Sequence, residues 1–211
     1  LAHVVGVKTA VALTIVPNIV MDALQLVRQG DVAATLRRWS ALLAFGTVGT
    51  VLGTRLLVSL PPRVATLVLG GVVLLFVGLN ATRLTPRVPA RWRAWVSPPV
   101  GFVAGVVGGL TNVPGTPLVM LFYALGLDKT EFVRAVALTF MTYKLVQLGA
   151  VAAFGLLTWP LLLASLGLAA LGLVGFGAGL RIQSRLDQRT FNRAVLACLA
   201  ALGASLVYRS L

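Results

Sequence analysis

Two groups of polar side chains lie within long apolar stretches of this 211-residue sequence, where they could bind a ligand. Thr14, Asn18 and Asp22 follow one another at intervals of four, which places them on one face of a helix. Lys144 and Gln147 share a helix face in the same way. A charge at the centre of a bilayer costs about 2.5–3.5 kcal/mol, so it needs compensation. We expect Lys144 to be the counter-charge of an anion and Asp22 a proton relay. The alternative is a salt bridge between them that only fixes helix packing.

A third polar group lies in the segment Gly108–Pro117, which reads Gly-Gly-Leu-Thr-Asn-Val-Pro-Gly-Thr-Pro. Two prolines and three glycines in ten residues predict a break between two half-helices, at about 98–110 and 117–126. Thr116 is then expected to be the N-cap of the second half-helix, with Pro117 as its first residue. The free N–H groups and partial positive charge of such a helix start suit an anion.

Four residues at this break offer hydroxyl, amide or backbone donors to that anion: Thr111, Asn112, Gly115 and Thr116. With Lys144, Gln147 and Asn18 they form the predicted substrate site, and Asp22 is the predicted proton-coupling residue. The alternative is a proline kink whose polar groups are satisfied by neighbouring side chains.

The composition identifies the environment of these residues. Hydrophobic residues make up 58% of the chain and charged residues only 11%, whereas a soluble domain has about 25% charged residues. The mean hydropathy of +0.96 excludes both a soluble globular domain and a disordered chain. A single cysteine, Cys198, excludes a disulfide scaffold. The sequence therefore predicts an integral membrane protein.

The charge distribution and the absence of catalytic motifs exclude further classes. The 18 basic residues outnumber the 5 acidic ones, for a net charge of +13, but they lie between apolar runs as in cytoplasmic loops. We therefore expect no nucleic-acid partner. No paired carboxylates and no HExxH, GxSxG or Walker pattern occur, so we expect neither enzyme chemistry nor a cofactor.

Six further apolar runs are predicted to be membrane helices, at about 6–27, 39–58, 64–82, 131–154, 160–182 and 190–208. The predicted fold class is all-α, a polytopic transmembrane helical bundle. Two glycine series are expected to mark close helix packing rather than a nucleotide loop. They are Gly46, Gly49 and Gly53, and Gly172, Gly175 and Gly179.

The chain contains an internal repeat. The pentapeptide Ala10–Thr14 recurs as Ala135–Thr139, an offset of 125, and nine further identities follow at an offset of 126. We therefore divide the chain into a first repeat, 1–93, and a second repeat, 94–211, which contains the broken segment. The matching hairpin of the first repeat is expected in about 30–40 further residues before Leu1, because each repeat needs a half-helix to line a shared site.

The basic residues predict how the broken segment is threaded. If it returns to the side it entered, as a re-entrant hairpin, the repeats are inverted and 13 basic residues face 4, with Lys144 inside a helix. A single crossing would divide them 9 against 8. The positive-inside rule favours the hairpin, with the 13-charge face in the cytoplasm. Inverted repeats with discontinuous helices are a transporter architecture.

The broken hairpin Gly101–Gly126 resembles the second-repeat hairpin of the sulfite exporter TauE/SafE family, also called TSUP. The following stretch Leu127–Val136 resembles the family's hydrophilic link, and Gly30-Asp-Val resembles its turn after the first helix. The resemblance implies a multi-pass carrier of the inner (plasma) membrane for sulfur-containing or organic anions such as sulfite and sulfonates.

Three functions remain open at this point. The first is a secondary transporter of small anions. The second is a membrane-embedded enzyme acting on a lipid or phosphate ester, and the third is a passive anion channel. The expected partners are a small anion and the lipid bilayer, and the sequence leaves a homo-oligomer open.

Overall fold

The computed structural model describes residues 6–81, 88–112 and 115–183, and this part of the chain is entirely helical apart from its turns. Its helices are α1 (Val7–Gln29), α2 (Val32–Ser59), α3 (Pro62–Ala81), α4 (Arg93–Thr111), α5 (Gly115–Ala124), α6 (Lys129–Ala153) and α7 (Trp159–Gln183). A 3₁₀ turn, Ala90–Trp92, precedes α4. Within the described ranges, α1, α2, α4 and α6 are long and apolar enough to cross a membrane. The all-α membrane fold is confirmed, while the predicted helix 190–208 lies outside the described residues.

The start of α2 differs from the prediction, because the helix begins at Val32 and not at residue 39. Arg37 and Arg38 were assigned to a loop because of their charge, but they lie in the second turn of α2. Arg38 forms an ion pair with Glu131 of α6, so its charge is compensated where the two helices meet.

The start of α4 also differs, because the helix begins at Arg93 and not at residue 98. Pro98 and Pro99 lie inside it. Proline is favoured in the first turn of a helix, whereas these two lie in the second turn, where each removes one intrahelical hydrogen bond. The preceding 3₁₀ turn, in which the Trp92 N–H donates to the Pro89 carbonyl at 2.9 Å, leads the chain into α4.

Local signals explain several helix ends. Gly30 ends α1 with a φ of 62°, and Gly155 follows the C-cap of α6 with a φ of 74°, a region that glycine adopts without strain. The carboxylate of Asp128 caps α6 by accepting a hydrogen bond from the Glu131 N–H at 2.9 Å.

Helices α2 and α4 form the most extensive helix pair of the described structure. A Cβ atom added at any of five glycines would overlap a backbone carbonyl oxygen of the facing helix: Gly49, Gly53, Gly101, Gly105 and Gly109. The absence of side chains therefore lets the two backbones approach closely. The remaining glycine of the α2 series, Gly46, lies against the hydroxyl end of the Tyr143 side chain, which an added Cβ would overlap. The predicted packing role is confirmed for this series. At Gly175 of the second series, an added Cβ would meet no described atom within 4 Å.

The apolar core holds α6 between its neighbours. At one end, Trp39 of α2 and Phe122 of α5 pack edge to face at 4.8 Å, within a cluster that also contains Leu138 of α6. A second cluster joins Ile15 of α1 to Val151 of α6. Helix α6 is therefore fixed against α1, α2 and α5, and its polar residues have defined positions.

Candidate functional site

The site begins where α4 is interrupted. Helix α4 ends at Thr111, and Asn112 adopts a left-handed backbone with φ 65° and ψ 12°. The Asn112 N–H donates to the Gly108 carbonyl at 2.7 Å and completes the last turn. Asparagine is one of the few residues other than glycine that tolerates this conformation. The structure thus has the helix break that the prolines and glycines predict.

The start of α5 corrects one detail of the prediction. The helix begins at Gly115, so Thr116 lies within its first turn and is not the N-cap. Pro117 also falls in the first turn, where its missing N–H removes no intrahelical bond. The side chain of Thr116 and residues 113–114 lie outside what the structure describes.

Two side chains of α6 reach the carbonyl groups at the end of α4. The Lys144 ammonium donates to the Asn112 backbone carbonyl at 3.0 Å, to the Asn112 side-chain oxygen, and to Gln147 Oε1 at 3.1 Å. The Gln147 amide nitrogen in turn donates to the carbonyls of Gly109 at 3.0 Å and Gly108 at 3.3 Å. The carbonyls at the C-terminus of α4 thus accept hydrogen bonds from α6, and that of Gly108 also accepts the Asn112 N–H.

The two side chains that make these contacts are almost fully buried. Lys144 is 2% exposed and Gln147 is 1% exposed. The C-terminus of α4 carries partial negative charge, and a cation placed there contributes up to about 2 kcal/mol in a partly buried setting. The ammonium of Lys144 therefore has a structural reason to lie at membrane depth, namely the broken end of α4.

A cavity of about 340 Å³ lies beside this break, among α1, α3 and α4. Its polar wall consists of four side chains: Thr14, Asn18, Thr111 and Asn112. Within this wall, the Asn112 amide nitrogen donates to the Thr14 hydroxyl at 2.6 Å, while that hydroxyl donates to the Ala10 carbonyl at 2.8 Å. Apolar residues of α1 and Leu69 of α3 complete the wall. The structure thus brings Asn18, Thr111 and Asn112 together as predicted neighbours.

Lys144 and Gln147 are not part of the cavity wall. Both contact the site through Asn112 and the neighbouring carbonyls. Gly115 lies elsewhere again, because a Cβ added there would lie 3.3 Å from the Phe140 ring of α6. The predicted residues therefore fall into three groups. Asn18, Thr111 and Asn112 line the cavity, Lys144 and Gln147 support Asn112, and Gly115 and Thr116 lie in the first turn of α5.

Asp22 lies one helical turn from Asn18 and is 8% exposed. Its Oδ2 atom is buried and has no hydrogen-bond partner among the described residues. The ion pairs found in this part of the chain, Arg38–Glu131 and Arg134–Asp31, do not include a pair between Asp22 and Lys144. The alternative of a direct salt bridge between them is therefore not what the structure contains.

Sequence reasoning missed two parts of the site. It placed Thr14 on the right helix face but did not identify it as the partner of Asn112, although the repeated pentapeptide Ala10–Thr14 was a signal. It also missed the carbonyls of Gly108 and Gly109 as the acceptors of Gln147. A carbonyl has no sequence signature, so only the position of the helix end reveals it.

The fold and site define an all-helical multi-pass membrane protein with a buried polar site at an interrupted helix. A family model, that of the sulfite exporter TauE/SafE family, matches residues 1–206. The chain belongs to this family of membrane transporters, as its broken segment suggested. No curated protein and no solved structure matches the chain significantly.

Proposed function

We propose that the protein is a secondary transporter of small anions in the inner (plasma) membrane. Its proposed substrates are sulfur-containing anions such as sulfite and sulfonates, or organic acids. The observation that carries this proposal is the cavity beside the α4 break, whose polar wall meets a buried cation through Asn112. Its volume of about 340 Å³ is sufficient for a small anion.

In this proposal the anion lies in the cavity and accepts hydrogen bonds from the side-chain amides of Asn18 and Asn112. Thr111 lines the site beside them, and its hydroxyl donates to the Val107 carbonyl at 2.7 Å. The first turn of α5, with Gly115 and Thr116, adds the partial positive charge of a helix N-terminus. Lys144 and Gln147 complete the site from behind Asn112. Proton coupling is assigned to Asp22, because a buried carboxylate with an unpaired oxygen can exchange a proton without breaking a contact of that oxygen.

The proposed architecture is a pair of inverted repeats in which α4 and α5 form a re-entrant hairpin. Helix α5 has 10 residues and is about 15 Å long, too short for a hydrocarbon core of about 30 Å. The Val88 N–H donates to the Ala124 carbonyl at 2.8 Å, so the segment before α4 lies beside the end of α5. Both observations support a hairpin whose outer ends lie on one side.

Equivalent positions of the proposed repeats also have equivalent local structure. Thr14 donates to the Ala10 carbonyl at 2.8 Å, and Thr139 donates to the Ala135 carbonyl at 2.6 Å. Helices α1 and α6 both end at a glycine with positive φ, at positions 125 residues apart. These similarities favour a repeat over chance identity in a sequence rich in leucine, alanine and glycine.

The proposal is tested with purified protein in liposomes loaded with unlabelled sodium sulfite. A carrier should take up labelled sulfite with saturation and by counterflow against the internal pool. A channel would give flux without counterflow, and no flux of sulfite or of an alkyl sulfonate would contradict the proposal.

A matched pair of variants locates the site. Thr14→Val should reduce sulfite uptake about tenfold, because it removes the hydroxyl that accepts the Asn112 N–H and holds that amide in the cavity wall. Thr66→Val is the control, since its hydroxyl also donates to the carbonyl four residues earlier, at 2.9 Å, but it does not line the cavity. Equal effects of the two substitutions would place the site elsewhere.

A further inference from the structure

The hydrogen bonds of Lys144 define what its ammonium can do. An ammonium group has three hydrogens, and here each has an acceptor: the backbone oxygen of Asn112, the side-chain oxygen of Asn112 and Gln147 Oε1. The side chain is 2% exposed and does not reach the cavity wall. In this structure no ammonium hydrogen is therefore directed at an anion in the cavity.

The same contacts fix the orientation of the Asn112 side chain. A primary amide presents an acceptor oxygen on one side and two N–H donors on the other. Because the ammonium holds the oxygen, the nitrogen is the atom that contacts Thr14 in the cavity wall, at 2.6 Å from its hydroxyl. A flipped amide would direct its nitrogen at a cation and its oxygen at the anion, and both contacts would be repulsive.

Gln147 orients the ammonium by the same logic. Its amide nitrogen is committed to the carbonyls of Gly108 and Gly109, which leaves its oxygen for Lys144. The order of contacts runs from the end of α4 through Gln147 and Lys144 to Asn112. The Gln147 amide is held in one orientation by two carbonyls, which can only accept hydrogen bonds. The Asn112 amide is held in one orientation by the Lys144 ammonium, which can only donate them.

We propose that Lys144 and Gln147 are positioning residues that act on the anion through Asn112. They hold the end of α4 and turn the Asn112 amide nitrogen toward the cavity side. One of its two N–H groups donates to Thr14, and the other is the donor that selects an anion. The inference rests on the proposed anion transport. It differs from a direct role because the charge of Lys144 sets the polarity of Asn112 and does not contact the substrate.

A double-mutant cycle separates the two roles. The initial rate of sodium sulfite uptake is measured against concentration in liposomes for Lys144→Met, Asn112→Ala and the double variant. If Lys144 acts through Asn112, each single change should raise KM about tenfold, and the double variant should be no worse than Asn112→Ala. Additive losses would overturn the inference, because they would show an effect of Lys144 that does not pass through Asn112.

Lys8→Met is the matched control. The Lys8 ammonium also donates to a carbonyl near a helix end, that of Val58 in α2, at 2.6 Å, but Lys8 does not contact Asn112. Its effect on KM should be small and should add to that of Asn112→Ala. A KM effect of Lys8→Met that vanished in the Asn112→Ala background would show general loosening and would overturn the inference.

A second cycle covers the case in which Lys144→Met does not fold. Gln147→Leu removes the neighbour that orients the ammonium but retains the charge, and its KM effect should also vanish in the Asn112→Ala background. Additivity there would count against the positioning role. A wild-type protein that moves no sulfite, no alkyl sulfonate and no small carboxylate would contradict the proposed function, whereas normal wild-type flux with additive variants would contradict this inference alone.

Discussion

At the level of a single residue, the burial of Asp22 distinguishes a role in proton coupling from a role in helix packing. It is 8% exposed and its Oδ2 atom has no hydrogen-bond partner among the described residues. A carboxylate kept only for packing would be expected to pair with a cation or with several donors, since an uncompensated buried charge is costly. The structure provides no such pair with Lys144 within 4 Å.

We therefore expect Asp22→Asn to uncouple transport from protons without unfolding the protein. The amide keeps the size of the side chain and removes the buried charge. Sulfite counterflow in liposomes should persist, whereas accumulation driven by an imposed pH gradient should be lost. Asp128→Asn, at the N-cap of α6, is the control that should keep both activities. Gradient-driven accumulation by Asp22→Asn would rule out this residue as the proton carrier.

At the scale of the helix, the close pairing of α2 with α4 carries the break that forms the site. Gly105 faces the Gly46 carbonyl, and Gly109, near the break, faces the Thr50 carbonyl. In a bilayer such packing is an important source of helix association, because lipid is as apolar as the side chains. A displacement of α4 would therefore move Asn112 relative to α1.

We predict that Gly105→Ala destabilises the protein by about 1–3 kcal/mol, because the added methyl would overlap backbone that cannot rotate away. Gly71→Ala in α3 is the matched control, since an added Cβ there meets no described atom within 4 Å. Thermal unfolding in detergent should show a lower midpoint for the first variant and little change for the second. A normal midpoint for Gly105→Ala would contradict the close approach of the two helices.

Some helix limits could be derived from the sequence, whereas other limits and the long-range contacts of the site could not. The break after Thr111 follows from proline and glycine chemistry, which is local. The starts of α2 and α4 were misplaced because charges and prolines were taken as helix limits, although both can lie within a helix near its end. The contact of Asn112 with Thr14 joins residues 98 positions apart, and no local pattern specifies such a pair.

For the whole molecule, the threading of the chain determines which groups can meet at the site. Helix α6 has 25 residues and is about 38 Å long, enough to cross the hydrocarbon core, whereas α5 can cross only about half of it. The contact between Val88 and Ala124 joins the two outer ends of the broken segment. From these observations we propose a re-entrant α4–α5 pair followed by a full crossing in α6.

This threading predicts the accessibility of single cysteines introduced into a Cys198→Ser background. Pro89→Cys and Asp128→Cys should react with an impermeant maleimide only from the cytoplasmic side, because the outer ends of α4 and α5 lie together. Thr158→Cys, beyond the far end of α6, should react only from the opposite side. All three residues are exposed in the structure, so a lack of labelling would report the membrane and not burial. Labelling of positions 89 and 128 from opposite sides would mean that α4 and α5 cross the bilayer once, and the site at their break would then need a different partner from α6.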